Sequence, residues 1–365
     1  MKTSSLTSYH YLNKMQYYQE PVARIAALDV EIPSRVVDND MLVDMLDAPP
    51  RLKRKLAKLI YRATKCQSRA YAEPGLSPSD LAVAAARKVL DRAGHLIDAI
   101  DTLIFASTDM DTLEPATANI VQHKLGMKIG NAFDVTNACN SFLQAINVGN
   151  SMIATGAAHR VLIVSGEIGS YVCNRQINHV DELSYKMGGL TLGDAGAAMI
   201  LEPAEGNIGI QEINLLSLGQ HWEMCHVPET TDWRQKPDGT IHGWFYLDMP
   251  ELAKVAKRES VNYFKEYKTM RRELYGEAMM LDSLAHLVPH QISRKFIEDI
   301  CSALDFDASM IPITADILGN TASTSIPLVL HGLMEQSKLD FDSGQEVFLY
   351  GAASGFGIGH IRVKF

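Results

Sequence analysis

Short unbroken apolar runs alternate along the chain with stretches whose apolar residues recur at helical spacing. "IDTLIFAST", "NAFDVTN" and "RVLIVSGE" read as strands, while "ATANIVQHKLGM" and "CNSFLQAINVGNSMIATG" read as helices between them. "SPSDLAVAAARKVLDRAG" predicts an amphipathic helix opened by Ser77 or Ser79 and closed by Gly94. Upstream, "VARIAALDVEIPSRVVDNDML" predicts a strand, a turn and a helix capped by Asp38 or Asn39. Strands that are apolar throughout, separated by helices, predict a parallel sheet covered on both faces, with "GDAGAAMILEP" closing this half.

The same order returns further on. "HLVPHQISRKFIEDICSAL" is strand then helix, "GNTASTSIPLVLHGLMEQ" turn then helix, and "EVFLYGAASGFG" with "GIGHIRVKF" supplies two closing strands. Similarity at half the chain length predicts an α/β body of two duplicated halves, over 21–204 and 205–365. An arm, 1–20, rich in Tyr and polar residues, precedes them and packs on the body or on a partner subunit. A segment of about 217–280 has no counterpart in the repeat and reads as an insertion that covers or lines a pocket.

Composition narrows the function classes. The 365 residues carry 43 acids against 34 bases, a formal net charge of −9, which argues against nucleic acid or an anionic membrane as the main partner. The five cysteines, Cys66, Cys139, Cys173, Cys225 and Cys301, are odd in number and form no C-x-x-C pair. Free thiols in a cytoplasmic protein are therefore expected, with no disulfide framework and no metal site. The first 20 residues lack the apolar core of a signal peptide, and no apolar run is long enough to span a bilayer.

Three positions carry candidate chemistry. Cys139 lies where a strand gives way to a helix; such a thiol is most often a small buried filler, yet the positive end of a helix would lower its pKa and favour the nucleophilic thiolate. His290 follows an apolar strand at the edge where ligands gather in α/β sheets. Asn320, after Gly319, opens a helix and by itself reads as a cap. A Cys, a His and an Asn at three corners of a duplicated body point jointly to a site.

The ordered motifs "DVTNACNSF", "GDAGAAMIL", "VPHQIS", "GNTASTSIP" and "GAASGFGIGHIRVKF" resemble the thiolase superfamily, in its β-ketoacyl synthase III branch, over about residues 22–365. The resemblance implies a five-layered αβαβα fold, a homodimer, and no cofactor beyond the substrates, an acyl-CoA or an acyl group on acyl carrier protein. It implies that Cys139 takes an acyl group from a thioester. His290 and Asn320 would then hold a second thioester as its enolate forms, and the N–H groups of Cys139 and Gly355 would make the oxyanion hole.

Within that branch, Glu114, before Pro115, stands where synthases that join two fatty acyl thioesters head to head in olefin biosynthesis carry an acid reaching across the dimer. "DVTNAC" is similar to the same subgroup. The resemblance thus implies a Claisen condensation of two acyl thioesters to a β-ketoacyl product in specialised lipid or polyketide chemistry, with Glu114 as base. By itself Glu114 equally reads as a solvated loop charge, and Asp109 and Asp111 are acids nearby. The alternatives are a decarboxylative β-ketoacyl-ACP synthase III using a malonyl thioester, and transfer of the acyl group to an alcohol or amine. The Trp and Thr-Gly pair that open the thioester tunnel in chain-initiating synthases are missing from "LIYRATKCQSR"; Arg62, Lys65 and Arg69 in that stretch are candidates to bind a phosphate or an acidic carrier helix. A papain-like hydrolase shares the Cys, His, Asn order but has Trp after its cysteine, where this chain has Asn140. An inactive partner subunit would not need the complete set. Cys173, Cys225, Cys301, His221, His226, His242 and His286 read as core or surface residues, and Trp222, Trp233 and Trp244 as packing of the insertion.

Overall fold

A computed structural model describes residues 9–95, 97–227, 244–276 and 284–365. Trp233, His242 and parts of the arm and of the 217–280 segment lie outside the described residues. The described chain is carried by two five-stranded sheets. The first has the spatial order Ala23–Glu31, Asp194–Pro203, Val161–Ile168, Thr102–Ala106, Asn131–Val135. The second runs Gln16–Tyr17, Gly209–Ser217, Gly357–Lys364, Glu346–Ala353, His286–Pro289. From its second strand onward, the second sheet repeats the first four strands of the first: antiparallel, antiparallel, then parallel.

The fully parallel sheet expected from the apolar runs is therefore corrected to a mixed one. Val161–Ile168 is buried at every position, and so is most of Asp194–Pro203, yet the two run antiparallel. Burial on both faces makes a strand continuously apolar whichever way its neighbour points.

Two helices lie between the sheets. Ser141–Ala154 and Ser325–Glu335 contribute Phe142, Ile146, Ile326 and Leu330 to one core shared with Ile163 and Met199 of the first sheet and Leu349 and Ile361 of the second. Pro78–Ala93 and Thr117–Leu125 cover the outer face of the first sheet; Met249–Tyr275 and Arg294–Leu304 cover that of the second. The result is the five-layered αβαβα arrangement. Ser77 and Asp80 form a capping box on the helix that Gly94 closes at φ 65°, and Asp38 caps Asn39–Met45, as the local signals predict.

The 217–280 segment is only partly an insertion. Its long helix, Met249–Tyr275, covers the second sheet as Pro78–Ala93 covers the first, and the two share no sequence pattern that would reveal the correspondence. The arm packs on its own body. Gln16–Tyr17 pairs with Gly209–Ser217, and the N–H groups of Tyr11 and Leu12 donate to Glu266 of the long helix at 2.7 and 3.0 Å. Among the described residues no helix is long and apolar enough to cross a membrane.

Candidate active site

The chain leaves Asn131–Val135, turns through Ala138 at φ 48°, and enters the central helix at Ser141, so that Cys139 sits on the corner itself. Ser141 fastens the corner: its hydroxyl donates to the Ala138 carbonyl at 2.6 Å and accepts the Asn137 N–H at 2.8 Å. In the other half, Gly319 at φ 78° brings Asn320 beside the first half; a Cβ there would meet the Thr191 carbonyl at 2.5 Å. The Asn320 backbone is then held on both sides, its N–H donating to Thr191 at 2.8 Å and its carbonyl accepting from Gly193 at 2.9 Å. His290 leaves the end of His286–Pro289, and its backbone N–H donates to the Tyr350 carbonyl at 2.8 Å.

These three corners, predicted separately, line one cavity of about 30 Å³, with Ser354 and the apolar side chains of Phe245, Leu247, Leu252 and Phe296. A larger cavity of about 460 Å³ shares Cys139, Asn320, Cys225, Phe245 and Ser354, and an apolar void of about 40 Å³ shares His290, Ala256, Phe296 and Ala352. Cys139 and Asn320 thus stand between a roomy chamber and a narrow apolar space behind His290.

Each polar group is left with one free function. His290 Nδ1 bonds to the Ser325 hydroxyl at 2.7 Å, while its Nε2 is buried with no partner among the described residues. Burial lowers the His290 pKa to about 4, so the ring is neutral near pH 7. A serine hydroxyl can donate or accept, so Ser325 supports either tautomer. Asn320 Oδ1 accepts the Ala322 N–H at 3.0 Å, leaving its NH₂ to donate to a ligand. Burial, then the neighbouring Cys225 and Glu167, push the Cys139 thiol well above its ordinary value. This corrects the thiolate expected from the helix end: desolvation outweighs the backbone N–H groups, so Cys139 rests protonated beside a neutral imidazole.

The N–H groups that reach the sulfur are those of Cys139 and Ser354. Gly355, expected in the oxyanion hole, sits at φ 79° in the turn after Ser354, which lines the cavity. Arg69 is corrected too. It is fully buried, with Nη1 donating to the Val37 carbonyl at 3.2 Å and Nη2 to Asn39 at 2.8 Å, so its charge braces the fold and is closed to a phosphate. Arg62 is exposed and Lys65 sits over the Tyr61 ring; neither lines the cavities described. Glu114 is exposed on this single chain, next to Leu113, which lines the larger cavity.

Three further cavity residues were given no role at the site from sequence. Cys225, read as a core or surface residue, lines both cavities together with Cys139. Glu167, fully buried, accepts from the Thr108 and Ser323 N–H groups at 2.9 and 3.3 Å and from both their hydroxyls, while burial raises its pKa. Asp109 lines the larger cavity and is pushed up to about 7 by burial and then by Glu167. An acid ending the apolar run "RVLIVSGE" was the one visible signal.

A duplicated αβαβα body with a cysteine, a histidine and an asparagine converging on one cavity defines a thiolase-type condensing acyltransferase. The N-terminal profile of the 3-oxoacyl-[acyl-carrier-protein (ACP)] synthase III family matches residues 133–219, and its C-terminal profile residues 276–365. The chain is 30% identical to β-ketoacyl-[acyl-carrier-protein] synthase III of Sinorhizobium medicae over 342 residues, 92% of this chain and 96% of that one. It is 29% identical to the Rhodospirillum centenum protein of the same name over 341 residues, 92% of this chain and 96% of that one. The chain belongs to this family. Its fold is shared with 3-oxoacyl-(acyl carrier protein) synthase III of Pseudomonas aeruginosa, at TM-score 0.80, 24% identity, and 94% and 98% of the two chains. It is shared equally with OleA of Xanthomonas campestris holding lauric acid and lauroyl-CoA, at TM-score 0.81, 23% identity, and 94% and 99% coverage.

Proposed function

We propose that this enzyme joins two acyl thioesters by Claisen condensation through an acyl group carried on Cys139, without requiring a malonyl unit. The observation that supports it best is the unpartnered Nε2 of a neutral His290 in the cavity that holds Cys139 and Asn320. In the first half-reaction Nε2 takes the thiol proton as sulfur attacks the thioester carbonyl, and returns it to the departing thiolate. In the second, the other tautomer and the Asn320 NH₂ donate to the second thioester's carbonyl oxygen, where negative charge develops as its enolate forms. The enolate carbon attacks the acyl carbon on Cys139, whose oxygen lies by the Cys139 and Ser354 N–H groups, and sulfur leaves.

Substrate apolarity is supported by the lining of the narrow cavity and of the void behind His290. A homodimer is supported by the free outer edge of Asn131–Val135, the last strand of its sheet, flanked by exposed Leu113 and Ile129. The decarboxylative reading, with malonyl thioester as second substrate, is favoured by the names of the curated relatives. Intact-protein mass after incubation with acyl-CoA and acyl-carrier-protein panels tests the first step: an acyl mass on wild type and none on Cys139→Ala is expected. Product mass with CO₂ measurement tests the second. Condensation only with malonyl thioester and with CO₂ release would replace this reading by the decarboxylative one.

A further inference from the structure

Two acids line the larger cavity with no ion pair among the described residues, Asp109 and Glu167, and Glu167 is taken up by Thr108 and Ser323. Asp109 and Cys139 both line this cavity, with Asn320 between the chamber and His290. No ion pair to Asp109 is formed among the described residues, and its carboxylate is held by two backbone N–H groups, Met110 to Oδ1 at 2.9 Å and Ile168 to Oδ2 at 3.2 Å. Each oxygen keeps a lone pair for another proton. The loop is tied to the nucleophile's corner as well: the Ser107 hydroxyl accepts the Asp109 N–H at 3.1 Å, and Ser141 of the Cys139 corner lies 3.2 Å from the Ser107 carbonyl. Glu167 is the common neighbour of Asp109 and Cys139.

We propose that Asp109, from the same chain as Cys139, is the base that removes the α-proton of the second acyl thioester, in place of Glu114. The inference rests on the condensation reading above. The α C–H bond breaks, its proton goes to the Asp109 carboxylate, and its electron pair becomes the enolate held by His290 and Asn320. That pair then forms the new C–C bond at the acyl carbon, the C–S bond to Cys139 breaks, and the expelled thiolate recovers the proton from Asp109. The site suits the role because its charge is poorly compensated: Glu167 and Asp194 are the acids around it and Tyr171 the nearby phenol, and the carboxyl is pushed up to about 7.

The test uses Cys139→Ala enzyme, which cannot be acylated, and follows deuterium entering C2 of a long-chain acyl-CoA from D₂O by mass spectrometry. Exchange is expected with the parent, a fall of about 100-fold on adding Asp109→Asn, recovery of part of that loss with Asp109→Glu, and no change on adding Glu114→Gln. Asp109→Asn with Cys139 intact is expected to take up its acyl mass normally, which shows that the variant folds. Should that variant not fold, Asp109→Glu alone decides: a rate at or above the parent's with an unaltered pH profile overturns the proposal, and a lowered rate with a shifted profile upholds it. Unchanged exchange in Asp109→Asn, or loss of exchange with Glu114→Gln, overturns the assignment and leaves the condensation reading standing. No exchange in the parent, together with product only from malonyl thioester, removes both.

Discussion

The two halves of the body meet at the cavity with the same corner, built twice. Asn137 to Ser141 and Thr321 to Ser325 each place an alanine at φ 48°. Each closes the turn with the same backbone bond, from Asn140 N–H to the Asn137 carbonyl at 3.0 Å and from Thr324 N–H to the Thr321 carbonyl at 3.1 Å, and each opens a central helix. Yet Cys139 stands at the cavity, while Ser323, its counterpart, is buried with its hydroxyl given to Glu167 and lying 2.8 Å from Ser165. The same corner thus opens one side chain to a cavity and gives the other to a buried acid. On the condensation reading, reactivity is expected where the surroundings leave groups unpaired.

The largest effect should come from exchanging those two roles. Cys139→Ala is expected to lower acyl transfer by at least about 10⁴-fold, while Ser323→Cys gains no second acyl mass, because the duplicated corner there opens onto Glu167 and not onto a chamber. Ser323→Cys should also destabilise the fold by about 1–3 kcal/mol, read by urea unfolding, since Glu167 loses a strong donor. A doubly acylated Ser323→Cys protein would mean that the corner alone confers reactivity.

Next in size are the groups that only the C-terminal half contributes. Asn320→Ala leaves Cys139 and His290 in place, so it should slow condensation by about 10²-fold while acylation of Cys139 stays within a few-fold of wild type. His290→Ala should slow both steps, because the proposed mechanism gives the proton acceptor and the enolate donor to the same ring. Single-turnover acylation and steady-state product formation, measured separately on both variants, distinguish the two patterns; equal loss of acylation in Asn320→Ala would place Asn320 in the first step.

Much of this was legible in the chain. Cys139, His290 and Asn320 each occupy a corner written in local residues, and the repeat of "ACNSF" as "ASTSI" marks the duplication. What escaped was everything decided at a distance. The direction of Asp194–Pro203, the burial of Arg69 and the protonated state of Cys139 all depend on partners brought from remote sequence. Asp109 looked like one loop acid among three. Only the fold shows that it lines the chamber while Asp111 spends its carboxylate on Ser79.

A smaller effect follows from that placement. In the unfolded chain Asp109 titrates at its ordinary value of 3.8, and in the folded protein near 7, so the folded state binds the proton more tightly. Its contribution to stability is full below about pH 4 and is lost as pH rises through 7. Asp109→Asn has no charge to bury, so its stability relative to wild type should rise across that window. The full shift would correspond to about 4 kcal/mol, but partial opening to the cavity lowers the expectation to about 1–2 kcal/mol. Urea unfolding of both proteins at pH 5 and pH 8 measures it, and a difference that does not change with pH would mean a carboxylate already well solvated. A functional acid that weakens the fold is the expected trade at a working site.

The smallest effect returns to the corners themselves. Ala138 and Ala322 are both left-handed, where a Cβ costs about 1 kcal/mol, and both line the larger cavity, so little packing is lost with the methyl group. Glycine at either position should therefore stabilise the protein by about 0.5 kcal/mol once the freer unfolded chain is counted. The two replacements should part in activity. Ala322→Gly loosens a turn whose serine is pinned by Glu167 and should leave acylation unchanged. Ala138→Gly loosens the turn of a thiol with no side-chain hydrogen bond among the described residues, and should slow acylation a few-fold. Equal rates in the two variants would show that the strained alanine does not aim the nucleophile, and that the aim of Cys139 comes from Ser141 and the helix behind it.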